Sequence, residues 1–262
     1  MSKFSLATIG LVAATPLVGA WASGPLRWWL LGGLGALYLT LVGLGVAFIK
    51  LNFFTRAICR GHQGFKSVAL TFDDGPDPEN TPQLLEVLDR CEVKAAFFCI
   101  GEKVKQYQET IRHLNAKGHL VGNHTYRHAW RTNFFWGRRL KREIQETQEV
   151  IKEVLGTAPL YFRSPMGLTN PHLSGALKRA GLTLIGWDVR GLDYKARSAE
   201  PVIQRILRKT RHGSIIVLHD GGAQPAIITA IVSRIIPELR GRGFVFQRLD
   251  DLIADARKDA PG

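Results

Sequence analysis

The stretch VALTFDDGP, residues 68–76, runs from an apolar segment into two adjacent carboxylates and a Gly-Pro pair. Residues 68–72 read as a buried strand, and the Gly-Pro that follows ends it in a turn. Asp73 and Asp74 therefore stand side by side where the strand stops. Like charges that close are costly unless something positive sits with them. Asp also suits turns and helix caps, so the pair takes its meaning from the rest of the chain.

Downstream, short apolar runs alternate with amphipathic stretches. Strands are expected at 95–100, 119–124, 160–165, 183–189, 214–220 and 244–249. Helices are expected at 82–91, 103–116, 138–155, 172–180, 201–211 and 225–240, the first with Thr81 as N-cap and Pro82 at its first position. The strands read as apolar runs rather than alternating ones, which is the pattern of parallel strands covered by helices. About seven such units in roughly 185 residues predict an α/β fold, a distorted (β/α) barrel. A doubly wound open sheet is the alternative. In either case sites assemble at the C-terminal ends of the strands. Those ends carry Asp73 and Asp74, His124, Arg163, Asp188, and His219 with Asp220.

Ahead of this part the chain changes character. Residues 28–49 carry no charge and span, as a helix, on the order of 33 Å, enough to cross a bilayer. Residues 4–21 are also uncharged but contain Pro16. They read as a second span turned at SGPLR, or as a signal-peptide core. The expected organisation is a membrane anchor over 1–52, a linker over 53–66 and a catalytic domain over 67–255. Lys50, Arg56, Arg60 and Lys66 follow the second span, against Arg27 alone in the turn. The positive-inside rule then favours the cytoplasmic side of the inner membrane for the domain, with a domain outside the membrane as the alternative.

The 262 residues carry a formal net charge of +13, which implies attraction to anionic surfaces. No nucleic-acid motif accompanies that charge, so no nucleic-acid partner is expected. Three cysteines, Cys59, Cys91 and Cys99, form no CxxC pair and define neither a disulfide framework nor a cysteine-rich zinc site.

HTYRH, residues 124–128, places His124 and His128 at i, i+4, a spacing that brings two imidazoles onto one metal. No Glu follows His124, which excludes the HExxH reading. With one carboxylate of the 73–74 pair, the set becomes two histidines and one Asp and leaves coordination positions open, as catalytic zinc sites do. One carboxylate would hold the cation and the other act as a base. His219, an imidazole at another strand end, is the acid that returns the proton. The same ligand trio also describes non-haem iron oxygenases, which leave the second Asp unexplained.

Together TFDDGP, HTYRH, RSPMG (163–167), WDVRGLDY (187–194) and IIVLHD (215–220) resemble, in order, the five motifs of the polysaccharide deacetylases of carbohydrate esterase family four. The resemblance spans about residues 67–250. It implies a distorted (β/α) barrel and one divalent metal, zinc, held by Asp74, His124 and His128. It further implies Asp73 as base, His219 as acid, Arg163 as orienting partner of the base, and the backbone N–H of Met166 at the oxyanion. Two positions depart from the family. Met166 stands where an aromatic residue is usual, and Arg190 replaces a carboxylate, while Asp193 remains available to tune His219.

The expected activity is a membrane-anchored, metal-dependent hydrolase that removes an acyl group from an N-acylated amino sugar of a glycan or lipid-linked saccharide. Alternatives are an O-acetyl esterase and an inactive glycan or anionic-lipid binder. Between HTYRH and the next helix, residues 129–142 interleave Arg and Lys with Trp130, Phe134, Phe135 and Trp136. They read either as a loop packed on the barrel or as a membrane-interface loop beside the metal.

Overall fold

The computed structural model describes residues 1–129, 131, 137–222 and 224–258. Helices α1 (Lys3–Trp21) and α2 (Gly24–Ala47) form a hairpin, both long and apolar enough to cross a membrane. The turn is tighter than SGPLR. It uses Ala22 and Ser23, and Pro25 enters the first turn of α2, where its missing N–H costs nothing. Thr8 Oγ1 and Tyr38 Oη hydrogen-bond across the pair at 3.0 Å.

The remainder begins with β1 (Ala57–Ile58), β2 (Ser67–Asp73), α3 (Asn80–Arg90), β3 (Ala96–Cys99), α4 (Gly101–Gln106) and α5 (Gln108–Ala116). It continues with β4 (Leu120–Asn123), α6 (Gly137–Leu155), β5 (Tyr161–Phe162), α7 (Leu173–Ala180), β6 (Thr183–Ile185) and β7 (Val189–Arg190). Last come α8 (Glu200–Lys209), β8 (Ser214–His219), α9 (Pro225–Gly241), β9 (Val245–Phe246) and α10 (Leu249–Lys258). The strands make one sheet in the order β1-β6-β5-β4-β3-β2-β8-β7, with β9 also on β2. Every strand pairing is parallel. The sheet curls into a half-barrel, the distorted barrel expected.

Alternation sorts each strand between two buried layers. On β2, Val68, Leu70 and Phe72 join the core beneath the helices, with Leu84, Leu88, Ile231 and Ile235. Ala69 faces the opposite way into the barrel, with Ala96, Phe98 and Ile215. Leu249, Leu252 and Ile253 of α10 close that interior from the end away from the carboxylates. The small Ala69 and Ala96 leave the room that α10 fills. A run buried on both faces reads as continuously apolar, which is why parallel strands were legible.

Several elements differ from expectation. Among the described residues the sheet has nine strands, not about seven. One addition is β1, which lies inside the stretch read as linker and pairs Ala57 and Ile58 with Leu184 and Ile185. The other arises because 183–189 breaks at Gly186, so that β6 lies beside β5 and β7 pairs β8 at the far edge. Gly186 is packed so closely that a Cβ there would stand 2.5 Å from Cys59 Sγ. Thr81 is not the cap of α3. Asp77 Oδ1 accepts from the N–H groups of Glu79 and Asn80 at 3.0 and 2.9 Å, while the Thr81 hydroxyl donates to Asp220 Oδ2 at 2.6 Å. The core makes a direct stability prediction: Leu88→Ala, at a fully buried position, should cost about 2–5 kcal/mol. Denaturant titration of the detergent-solubilised protein checks it, and a loss below about 1 kcal/mol would contradict this packing.

Candidate metal and catalytic site

Sheet register assembles the site. Asp73 at the end of β2 is paired with His219 at the end of β8, and alternation turns both toward the barrel interior. At Asp74 the backbone takes φ 72°, a left-handed conformation that non-glycine residues seldom adopt. Both carboxylates thereby line one cavity of about 470 Å³ with His124, His128, Met166 and His219. The glycine of TFDDGP is required by space, because a Cβ on Gly75 would run into the Asp220 carboxylate.

The two histidines come from a loop, not from a helix. Thr125 and His128 have φ of 68° and 50°, and the loop is fastened from behind. Asn123 Oδ1 accepts from Thr125 N at 3.0 Å, and its amide donates to the Ile144 carbonyl at 2.9 Å. Buried Glu143 accepts from the N–H groups of Tyr126 and Arg127 at 3.1 and 2.9 Å. His124 Nδ1 donates to the Arg163 carbonyl at 2.8 Å, which leaves Nε2 to present a lone pair.

Asp74 Oδ1 lies 3.3 Å from His124 Nε2 and 3.2 Å from His128 Nε2. It is buried and has no hydrogen-bond partner among the described residues. Three lone-pair atoms converging on one point fit a cation, and a tetrahedral site with bonds of about 2.0–2.1 Å separates its ligands by about 3.3 Å. The trio is the metal-capable cluster found among the described residues. Burial lowers the His128 pKa to about 4, while at His124 burial is outweighed by Asp73 and Asp74, which raise its pKa, so a cation there would take the place of a proton. Burial pushes the Asp74 carboxyl up, but His124 and His128 outweigh it and carry it well below the ordinary range. A neutral imidazole and an ionised carboxylate are the forms that bind metal.

Behind Asp73 lies Arg163, fully buried. Its Nη1 donates to Asp73 Oδ1 at 2.7 Å and to Thr71 Oγ1 at 2.8 Å, and Nη2 donates to the Gly186 carbonyl at 3.0 Å. The guanidinium also lies 4.1 Å from the Phe98 ring centroid. Across the cavity Asp193, itself buried, accepts from both His219 N at 2.7 Å and His219 Nδ1 at 3.0 Å. Burial opposes an imidazolium, yet the Asp193 hydrogen bond and charge, with Asp73 and Asp74 beyond, raise the His219 pKa to about 9. Met166 sits in a short turn, Pro165–Gly167, with φ 57°.

The structure thus brings together Asp73, Asp74, His124, His128, Arg163, Met166, Asp193 and His219. Asp188 is not among them. The break at Gly186 carries it to the start of β8, where its carboxylate accepts from Ser214 Oγ and Ile215 N at 2.9 Å each and pairs with Arg60 at 3.3 Å. Asn123 and Thr71 went unread from sequence, and Glu143, whose i, i+4 spacing from Arg139 reads as a surface ion pair on a solvated helix, is instead buried behind the loop of His124 and His128. Glu143 left a signal, a carboxylate on the face of α6 that also carries Leu140, Ile144 and Thr147. Trp130 and 132–136 lie outside the described residues.

A family model described as polysaccharide deacetylase matches residues 60–185. A peptidoglycan-N-acetylglucosamine deacetylase of Bacillus cereus is 31% identical over 190 residues, covering 72% of this chain and 88% of the relative. A chitooligosaccharide deacetylase of Sinorhizobium fredii is 34% identical over 208 residues, covering 75% and 96%. Among solved structures, the Bc1960 peptidoglycan N-acetylglucosamine deacetylase superposes with a TM-score of 0.71 at 30% identity, covering 76% of this chain and 92% of that one. With the family's motifs gathered around one cavity and these relatives aligned along most of their length, the chain belongs to the polysaccharide deacetylases of carbohydrate esterase family 4, hydrolases that act on carbon–nitrogen bonds of acylated sugars.

Proposed function

We propose that this protein is a membrane-anchored, zinc-dependent deacetylase of an N-acetylated amino sugar. The observation that carries the reading is the orphaned, buried Asp74 Oδ1 facing two imidazole nitrogens at 3.3 and 3.2 Å, with a second carboxylate alongside. A divalent cation bound by Asp74, His124 and His128 supplies a Lewis acid for the amide carbonyl and acidifies water.

The protein's own groups do the rest. Asp73, oriented by Arg163, removes a proton as the water oxygen adds to the carbonyl carbon. The backbone N–H of Met166 faces the oxygen on which charge develops. His219 gives its Nε2 proton to the amine as the carbon–nitrogen bond breaks, releasing acetate and a free amino group. Its raised pKa suits an acid that must stay charged beside water at neutral pH.

The hairpin α1–α2 supports the anchor. A cleaved leader would leave the bonds that tie it to the domain unmade: Phe4 N donates to Phe53 O at 3.0 Å, and Lys3 Nζ to Leu51 O at 2.9 Å. Lys50, Arg56, Arg60 and Lys66 after α2, against Arg27 in the turn, support a domain on the cytoplasmic side of the inner membrane.

Full-length protein, incubated with N-acetylated glycans and zinc, should release acetate and stop when a chelator is added. Asp73→Asn should lower kcat by about a hundredfold or more while bound zinc, counted by elemental analysis, is retained. Loss of metal together with activity would instead make Asp73 a ligand. For His219, activity needs the protonated ring, so it should fall as pH rises through about 9. Asp193→Asn removes the charge that raises this pKa. The alkaline limb of the kcat profile should then move to lower pH, and an unmoved limb would remove His219 from the acid role.

A further inference from the structure

The anchor is not joined to the catalytic domain by slack chain. At the end of α2, Gly45 and Val46 offer their carbonyls to the Thr169 hydroxyl and N–H at 2.8 and 3.1 Å. Thr169 lies three residues beyond Met166 on the same loop. Ile49 is buried in one cluster with Leu140 and Ile144 of α6 and Leu173 of α7. Phe53 and Phe54 are buried against Phe4, and Ala57 is already in the sheet. A bilayer around α1 and α2 therefore ends beside the mouth of the site. Such an enzyme cannot reach out to a distant polymer; its substrate must come to the membrane surface.

Helix α6 stands between anchor and metal loop and uses three faces. Leu140 and Ile144 pack toward Ile49, and Glu143 holds the loop of His124 and His128. The outer face carries Arg138, Arg139 and Arg142, which with Arg127, Glu143 and Glu146 line a cavity of about 430 Å³. Arg127 directly precedes His128. Both carboxylates here are committed, Glu143 to backbone N–H groups and Glu146 to Arg142 at 2.7 Å. The first turn of α6 holds no acidic residue, so its arginines add to the positive end of the helix dipole rather than offset it. Four guanidinium groups against two carboxylates leave this lining with an excess of positive charge, even with Arg142 paired to Glu146, which suits an anion with several oxygens, and Arg matches phosphate in geometry as well as charge.

Resting on the deacetylase reading above, we infer that the substrate is an N-acetylated amino sugar joined through phosphate to a membrane lipid. The arginine-lined cavity takes that phosphate while the sugar enters the metal site.

The test uses full-length, zinc-loaded protein in phosphatidylcholine vesicles and measures acetate released from polyprenyl phospho-N-acetylglucosamine and from soluble tetra-N-acetylchitotetraose. Wild type should favour the lipid-linked sugar in kcat/KM by about tenfold or more. Arg127→Gln/Arg138→Gln should raise KM for it by about tenfold while kcat changes little. Equal or better turnover of the soluble oligosaccharide by wild type overturns the inference and leaves the deacetylase standing. Proportional loss on both substrates in the variant assigns the arginines a structural role and overturns theirs in recognition. An effect of the variant confined to vesicles containing phosphatidylglycerol would assign them to the bilayer, again against the inference. Release from neither substrate overturns the deacetylase itself.

Discussion

A single buried ion pair, Arg163 with Asp73, ties the chemistry to the fold. Arg163 is the largest of the fully buried side chains, in the interior of a barrel otherwise filled by Ala69, Phe98 and Ile215. Removing a guanidinium from water costs several kcal/mol, recovered only when its hydrogens find acceptors in good geometry. Asp73, Thr71 and the Gly186 carbonyl accept from Nη1 and Nη2, the Phe98 ring face adds a cation–π contact, and Nε is left without a hydrogen-bond partner among the described residues. The three acceptors come from β2 and from the break between β6 and β7, while Arg163 itself begins the loop after β5. One side chain thus fastens three segments at the mouth. Its carbonyl also accepts from His124, so the same residue sets the orientation of a metal-binding ring.

The backbone around this pair is held in unusual conformations. Asp74, Thr125, His128 and Met166 all have positive φ, each costing on the order of 1–3 kcal/mol. Two of these residues offer atoms to the metal position, and a third lines the cavity. A relaxed strand would send successive side chains to opposite faces, and Asp73 and Asp74 could not then serve one cavity. The strain is offset by surrounding bonds: Lys103 Nζ holds the Asp74 carbonyl at 2.7 Å, and Asn123 and Glu143 hold the loop after β4.

What was legible in the sequence follows from these constraints. Strands buried on both faces are continuous apolar runs, so β2, β3, β4 and β8 stand out, and the polar residues at or just after the ends of β2, β4 and β8 mark the site. Short strands do not. β1 has two residues and takes its identity from pairing with β6. The stretch 183–189 reads as one strand, but it breaks at Gly186, a position where Cys59 of a distant segment leaves no room for a side chain. That break moves Asp188 away from the site. Thr81 shows the same limit, since its hydroxyl serves Asp220 from another strand end rather than its own helix. Ligand and catalytic residues sit in contiguous motifs and can be read. Thr71, Asn123 and Glu143, which position them, act across the fold, and of these Glu143 alone leaves a trace, as a carboxylate on the apolar face of α6.

Helix α6 shows how one element couples these levels. Its apolar face shares a cluster with Ile49 after α2, its buried Glu143 holds the loop of His124 and His128, and its basic face carries Arg138, Arg139 and Arg142. Any displacement of α2 relative to the barrel must disturb Ile49, and through Leu140 and Ile144 the helix that supports His124 and His128. Thr169 provides a second route, from the last turn of α2 to the loop that carries Met166 and begins at Arg163. The α1–α2 hairpin and the site geometry therefore share the same packed contacts. A hairpin that only tethered the domain would need a flexible linker and none of these contacts.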